Sequence, residues 1–312
     1  MKKAFLFPGQ GSQKVGTVHD LYEKYDSVKN LVHEADDTLG FSISEMMFEG
    51  PDTELMKTEF TQPAILTASV AVWQVLKEQG IEPDIAAGHS LGEYSALVAA
   101  GALSFADAVN TVHLRGRFMQ EAVPLGEGGM AAVIGLKPEK IVEICGEVSE
   151  EAGPVQAVNF NCPGQVVIAG ATKAVETACK VLKEAGARRA IMLKVSAPFH
   201  STLMEPAAAR LKEVLDHVEI HDTTIPVIAN VNAREEMKAG EIRRNLVEQA
   251  AHPVHWEESV RNMIEGGVDY TIEAGPGTVL SGFMRKIDRS VPCHHAEDTA
   301  TVENVIKSLK GE

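Results

Sequence analysis

Aromatic residues are scarce in this 312-residue chain, at 5%. Long apolar runs are missing as well. No segment approaches the roughly 20 consecutive apolar residues of a membrane helix. The apolar start Ala4–Phe7 stops at Pro8-Gly9, too short for the h-region of a signal peptide, so a buried first strand in a cytoplasmic chain is expected. Positive charge is in deficit. The count is 29 basic against 44 acidic residues, a net charge of −15. That argues against general binding to nucleic acid or anionic membrane, while leaving room for a local basic patch. Cysteine is limited to Cys145, Cys162, Cys179 and Cys293, with no C-x-x-C pair. Neither a disulfide nor a zinc site is expected. Cys162, in Asn161-Cys162-Pro163-Gly164, reads as a reduced bystander in preference to a catalytic thiol. Histidine pairs with metal-like spacing do occur. However, His217–His221 alternates like a strand edge, Pro253 interrupts His252 and His255, and His294-His295 are adjacent. Solvated histidines and no metal are expected.

What is present is a 45% hydrophobic composition rich in alanine and glycine, suited to close helix–sheet packing in an α/β protein. A strand over Lys3–Phe7 leads to a glycine-rich loop, Pro8–Gly16, and a helical pattern. A helix over Gln62–Gln79, a strand over Ile85–Ala87 and helices over Glu93–Ala100 and Ser104–Gln120 follow. Ser104 is the expected N-cap of the last, with Asp107 in its first turn. After Gly126, Gly128 and Gly129 the order is strand Met130–Gly135, helix Pro138–Val148, strands Val155–Phe160 and Gln165–Ala169, helix Lys173–Ala185 and strand Arg189–Val195. That β-α-β-β-α-β order is the ferredoxin-like pattern. The expected organisation is a main domain over 1–125 and 197–312 with a small domain, 126–196, inserted. A helix over Leu203–His217, a strand over Ile225–Asn230, helices over Glu241–Ala250 and Glu257–Glu265 and a strand over Asp269–Glu273 complete the main domain.

Chemistry concentrates at Gly88-His89-Ser90-Leu91-Gly92. A G-x-S-x-G pentapeptide between strand and helix makes a sharp turn that exposes the serine hydroxyl. It also sets the N–H of Leu91 at a helix N-terminus, where it can stabilise an oxyanion. Ser90 is therefore the candidate nucleophile of an acyl-transfer enzyme. A serine needs a base. His200, just past a strand where the inserted segment returns, is favoured, the alternative being a cap for the next helix. The Pro8–Gln13 loop lacks nucleotide-binding spacing and can instead supply a second oxyanion N–H. Arg115 lies on the inner side of its helix with Met119 at i+4. It is either half of an internal salt bridge or a fork for a carboxylate.

Together these residues make the chain resemble the malonyl-CoA:acyl carrier protein transacylases of bacterial fatty-acid synthesis. The likeness runs end to end. It is carried by Phe7-Pro8-Gly9-Gln10-Gly11-Ser12-Gln13, Thr61-Gln62-Pro63-Ala64, Gly88–Tyr94, Arg115-Gly116, Asn161–Gln165, Pro198-Phe199-His200-Ser201, Gln249, Pro253–Trp256 and Glu273–Gly277. The resemblance implies a hydrolase-like α/β main domain with a parallel-sheet core and the ferredoxin-like insert. It implies Ser90 as nucleophile, His200 as base, and Gln249 orienting His200 through its main-chain carbonyl. N–H groups of Gln10 and Leu91 would form the oxyanion hole, and Arg115 would bind the malonyl carboxylate. His89, Met119 and Phe199 match pocket positions. The implied reaction is ping-pong: malonyl-CoA acylates Ser90, and the phosphopantetheine thiol of an acidic acyl carrier protein takes the malonyl group. No metal, nucleotide or redox cofactor is required, and a monomer is expected. The rivals are a serine esterase or thioesterase, a transacylase serving a polyketide synthase, and a non-catalytic carrier-binding subunit.

Overall fold

Lys3–Phe7 (β1) is apolar on both faces, and Ala4 to Phe7 are wholly buried. Such a strand belongs inside a parallel sheet covered on both sides. In the computed structural model, which describes residues 1–195 and 197–311, it does. The other strands are β2 (Ile85–Gly88), β3 (Gly128–Ile134), β4 (Val155–Cys162), β5 (Gln165–Ala171), β6 (Arg189–Met192), β7 (Val227–Ile228), β8 (Glu235–Glu236), β9 (Tyr270–Ala274) and β10 (Cys293–Ala296). One sheet has the order β10-β9-β1-β2-β7-β8. All its pairings are parallel except that of β8 with β7. The fold is thus α/β with a parallel core, as expected.

The register of β1 on β2 pairs Phe7 with Gly88. The Pro8 loop and the Ser90 turn therefore leave neighbouring strands side by side, at the carboxyl edge where open α/β sheets bind ligands. The turn admits only glycine at its flanks. A Cβ on Gly88 would fall 1.9 Å from Gly92 C, and one on Gly92 2.1 Å from Phe7 O.

The second sheet has the order β4-β5-β3-β6 and is antiparallel throughout. Side chains alternate across it. Val166 and Ile168 of β5 pack with Ile141, Ile144, Val175 and Leu182 of the helices Pro138–Ala152 and Thr172–Glu184. Val167 and Ala169 face the other way, into the main core. Strand β4 is also tied to the main body through backbone bonds between Phe160 N and Val254 O (2.9 Å) and between Val254 N and Val158 O (2.8 Å).

Several boundaries differ from expectation for identifiable reasons. The helix expected from Gln62 begins at Thr58 and runs to Glu78. Pro63 lies inside it and cannot donate to Glu59 O. His113 Nδ1 takes that carbonyl at 2.9 Å, so the helix continues unbroken through the proline. The strand expected over Ile225–Asn230 shrinks to Val227–Ile228 because Asn230 N donates to the Glu93 carboxylate and Ala229 N to Arg234 O in a turn. His217–His221 is no strand edge. The helix Glu205–Leu215 ends before it, and His221 N bonds Ala102 O. His294-His295 lie in β10, with His294 stacked on Tyr270. The helical pattern after the first loop resolves into helices over His19–Lys24, Asp26–Leu39, Ile43–Glu49 and Asp52–Leu55. The expected boundary residues Ser196 and Glu312 lie outside the described residues. Among those described, no helix is long and apolar enough to cross a membrane.

Candidate active site

Ser90 sits at φ +51°, in the left-handed region that few non-glycine residues occupy. Both of its peptide groups are held. Its N–H donates to Asn230 Oδ1 at 2.6 Å, and its carbonyl accepts from Gln249 Nε2 at 2.8 Å. Asn230 is fixed in turn, because its Nδ2 donates to Gly88 O at 2.7 Å and its N–H to Glu93 Oε2 at 2.9 Å. Backbone strain at a functional residue persists only where the surroundings over-determine it, and here they do.

Ser90 Oγ lies 2.7 Å from His200 Nε2, and His200 Nδ1 lies 2.7 Å from the main-chain oxygen of Gln249. A carbonyl can only accept, so Nδ1 carries the proton and Nε2 is the free acceptor. That tautomer receives the proton of Ser90. His200, also left-handed at φ +63°, is 2% exposed. Burial, and secondly the charge of Arg115, push its pKa down to about 3. Its ring caps nothing: the short 3-10 turn Thr202–Met204 and the helix Glu205–Leu215 have no side-chain cap. The capping alternative is set aside.

Arg115 is 1% exposed. Its Nη1 donates to Gln62 Oε1 at 2.8 Å, and its Nη2 to Gln249 Oε1 at 2.8 Å and Ser90 Oγ at 3.2 Å. The guanidinium lies 5.6 Å over the Tyr94 ring. Among the described residues no carboxylate pairs with it, so the salt-bridge alternative finds no support. Gly116 lets this helix approach: a Cβ there would fall 2.5 Å from Thr58 O. The close crossing is what brings Gln62 to Arg115.

These groups open into a cleft of about 1200 Å³. Gln10, His89, Ser90, Leu91, Arg115, Met119, Phe199 and His200 line it from the parallel-sheet side; Met130, Asn159, Leu193 and Val195 line it from the second sheet and its exit. Gln10 and Leu91 each stand three residues beyond the paired Phe7 and Gly88. Neither backbone N–H is engaged in a turn or loop bond among the described residues. Met119 receives Gln62 Nε2 at its sulfur, 3.9 Å away. His89 Nε2 lies 2.8 Å from Asn161 Oδ1, and its ring packs on Trp256. Burial lowers its pKa. Gln249 is fully buried and bonds His200, Arg115, Ser90, Glu93 and Asn230. Cys162 lies away from the cleft, among apolar residues, with its pKa raised by burial.

Sequence reasoning missed Asn230, Gln62 and Glu93 as site residues. Glu93 carried a signal: an acid one residue beyond the pentapeptide, inside an apolar helix, is costly to bury without a purpose. It is 0% exposed. Burial raises its pKa to about 7, against the pull of Asn230 N–H, Gln249 and Arg115.

The acyl transferase domain family matches residues 4–310. The malonyl CoA-acyl carrier protein transacylase of Bacillus subtilis (strain 168) is 53% identical over 311 residues, covering 100% of this chain and 98% of that protein. The solved structure of the malonyl CoA-acyl carrier protein transacylase from Coxiella burnetii superposes with a TM-score of 0.96 at 40% identity, over 99% of this chain and 98% of that one. A malonyl-transacylase solved in complex with a type II polyketide synthase acyl carrier protein gives a TM-score of 0.96 at 46% identity, over 100% of both chains. A serine turn, a neutral histidine and a buried arginine converging on one cleft, with likeness along the whole chain, place the protein: it belongs to the acyl transferase family and, within it, to the malonyl CoA-acyl carrier protein transacylases.

Proposed function

We propose that this protein transfers the malonyl group of malonyl-CoA to the phosphopantetheine thiol of an acyl carrier protein, through a malonyl ester on Ser90, for fatty-acid synthesis. The observation that carries the reading is the placement of Arg115 Nη2 on Ser90 Oγ, 3.2 Å away, while the same Oγ bonds His200 Nε2 at 2.7 Å. A carboxylate held by Arg115 lies beside the nucleophile, which suits an acyl group whose carboxylate is one methylene away from the reacting carbonyl.

In the first half-reaction Ser90 Oγ attacks the thioester carbonyl and His200 Nε2 takes its proton. The N–H groups of Leu91 and Gln10 stabilise the oxyanion. The C–S bond breaks, CoA leaves as the thiol with the proton from His200, and the acyl group stays as an ester. The carrier's thiol repeats the sequence in reverse, giving malonyl-thioester and free Ser90. Gln249 O stabilises the transient imidazolium. A carbonyl supplies less charge there than the carboxylate of a Ser-His-Asp triad. No carboxylate contacts His200 among the described residues, which counts against an ordinary esterase. We read residues 126–196 as a ferredoxin-like insert in a hydrolase-like main domain, and the protein as a cytoplasmic monomer. The strand order β4-β5-β3-β6 with two helices on one face supports the insert.

A second reading, service to a polyketide synthase carrier, draws on the likeness to the malonyl-transacylase solved with such a carrier; the same site would serve both. Intact mass after brief exposure to malonyl-CoA tests the common core. One added malonyl unit on Ser90 is expected, and an unmodified chain or label on another residue overturns it.

A further inference from the structure

Arg115 carries a positive charge at 1% exposure with no ion-pair partner beside it among the described residues. Its nearest contacts are the amide oxygens of Gln62 and Gln249 and the hydroxyl of Ser90. A charge this deep needs a balancing one. The group placed to balance it lies behind Gln249. That amide accepts Arg115 Nη2 on its oxygen at 2.8 Å, and its nitrogen donates to Glu93 Oε2 at 3.1 Å. Glu93 is fully buried, and its Oε1 has no hydrogen-bond partner. Its Oε2 accepts from Asn230 N–H at 2.9 Å and from Gln249, but among the described residues no cation forms an ion pair with it.

We propose that Glu93 is the resident counter-ion of Arg115, held one amide away, and that its charge sets how strongly the pocket prefers an acyl group bearing a carboxylate. The proposal rests on reading Arg115 as the malonyl clamp. When malonyl binds, a second anion enters the field of the same guanidinium. An ionised Glu93 repels that anion, whereas a neutral Glu93 leaves the whole of Arg115 to it. A neutral acyl group such as acetyl is nearly indifferent to the change. The preference for malonyl over acetyl is thereby tied to one buried proton.

Among the described residues, the charged and titratable groups around Glu93 are few. Arg115 faces it from the helix Phe105–Glu121, and Tyr94 adjoins it on its own helix. Glu236 faces it from β8, and Glu241 of the helix Ala239–Gln249 acts on Glu236. His200, beyond Gln249, is held neutral at ordinary pH, with its pKa pushed down to about 3. Glu236 has its pKa pushed up to about 9 by burial and by Glu93. Glu93, at about 7, is the member whose charge changes near neutrality. Its ionised fraction grows as pH rises through that value, so the malonyl preference falls as pH rises.

The test is the ratio of kcat/KM for malonyl-CoA to that for acetyl-CoA, measured across neutrality. Titration of His200 and of the CoA phosphates is common to both donors and cancels in the ratio. In wild type the ratio should fall on going from about pH 6 to about pH 8, by roughly tenfold for a unit charge one side chain away in an interior of effective dielectric near 20. Glu93→Gln keeps an oxygen for Asn230 N–H and Gln249 but carries no charge. Its ratio should stay at the low-pH value throughout, about tenfold above wild type at the alkaline end. Glu236→Gln leaves Glu93 titrating and should retain the fall. A Glu93→Gln ratio that tracks wild type, or lies below it, overturns the proposal, as does loss of the pH dependence in Glu236→Gln alone. Should Glu93→Gln not fold, a flat wild-type ratio overturns it by itself. Failure of the clamp reading looks different: wild type would then show no malonyl preference at any pH.

Discussion

The two walls of the cleft are built on opposite principles. On the parallel-sheet side the reacting groups are polar and bonded on more than one side: Ser90 through its hydroxyl and both peptide groups, Gln249 through three atoms, Arg115 through both terminal nitrogens. The second sheet and its exit contribute Met130, Leu193 and Val195, apolar groups whose contacts are non-directional, with Asn159 and exposed Lys194 between them. Directional bonds fix atoms to a fraction of an ångström, which proton transfer and carboxylate recognition require. Apolar packing fixes shape more loosely. The difference teaches that changes on the first wall should act on chemistry steeply, and changes on the second side and at its rim only by degree.

The steepest break is Ser90→Ala, which should abolish the malonyl adduct seen by intact mass. Adduct formation at another residue would refute the serine mechanism. Next is His200→Ala, expected to slow acylation by a factor on the order of 10² to 10⁴, as for loss of a positioned base. In wild type, with His200 pushed down to about 3, its neutral form persists at all higher pH. The acylation rate should therefore show no histidine-type rise with pH between about pH 5 and 8; a rise near the ordinary histidine value would contradict the burial argument, whereas the change ascribed to Glu93 has the opposite sign. Arg115→Ala should both weaken malonyl transfer and relieve acetyl-CoA of facing an unpaired guanidinium. The swing in selectivity should be at least about tenfold, since charged hydrogen bonds are worth roughly 1.5–3 kcal/mol each. Arg115→Lys should recover part of it. Equal losses for both donors would return Arg115 to a structural role.

Two smaller effects sharpen the contrast. Phe199, lining the cleft beside His200, should disfavour methylmalonyl-CoA by about 1–3 kcal/mol relative to malonyl-CoA. Phe199→Ala should shrink that gap, and equal kcat/KM for the two thioesters in wild type would count against the idea. Smallest is the rim. Arg188-Arg189 and Arg285-Lys286 are exposed clusters on a chain of net charge −15. Charge reversal at a contributing cluster should raise KM for the carrier a few-fold and spare malonyl-CoA hydrolysis, as expected for surface charges that act on encounter. If neither does, the carrier docks elsewhere.

The same contrast explains what was legible in the sequence. Strand β1 was readable to the residue, because an apolar run between lysines and Pro8 admits one buried strand. The serine turn, the base and the arginine were readable because each is a chemically unusual residue at a recognisable place. Asn230 was not, since its partners Gly88 and Ser90 are about 140 positions away and only the β2–β7 pairing brings them together. The start of the helix Thr58–Glu78 was misplaced because a proline normally ends the hydrogen-bond ladder. Its repair comes from His113, on another helix. The elements after Gly277 were left unread, although the helix Val279–Ile287 and β10 complete the sheet's edge. Strand β10, four residues reading Cys293-His294-His295-Ala296, offers no alternation to read, and the helix before it is only nine residues long.

Gly88 and Gly92 have a consequence for the history of such a molecule. With a Cβ at either position colliding with main chain at about 2 Å, no drift through other residues is open there, and the turn can only be inherited whole. Residues such as Leu193 and Val195 obey no such constraint. They can be exchanged one at a time, each exchange reshaping the far wall while the serine stays as it was. A lineage that needs a new acyl donor or carrier has its freedom on that side of the cleft.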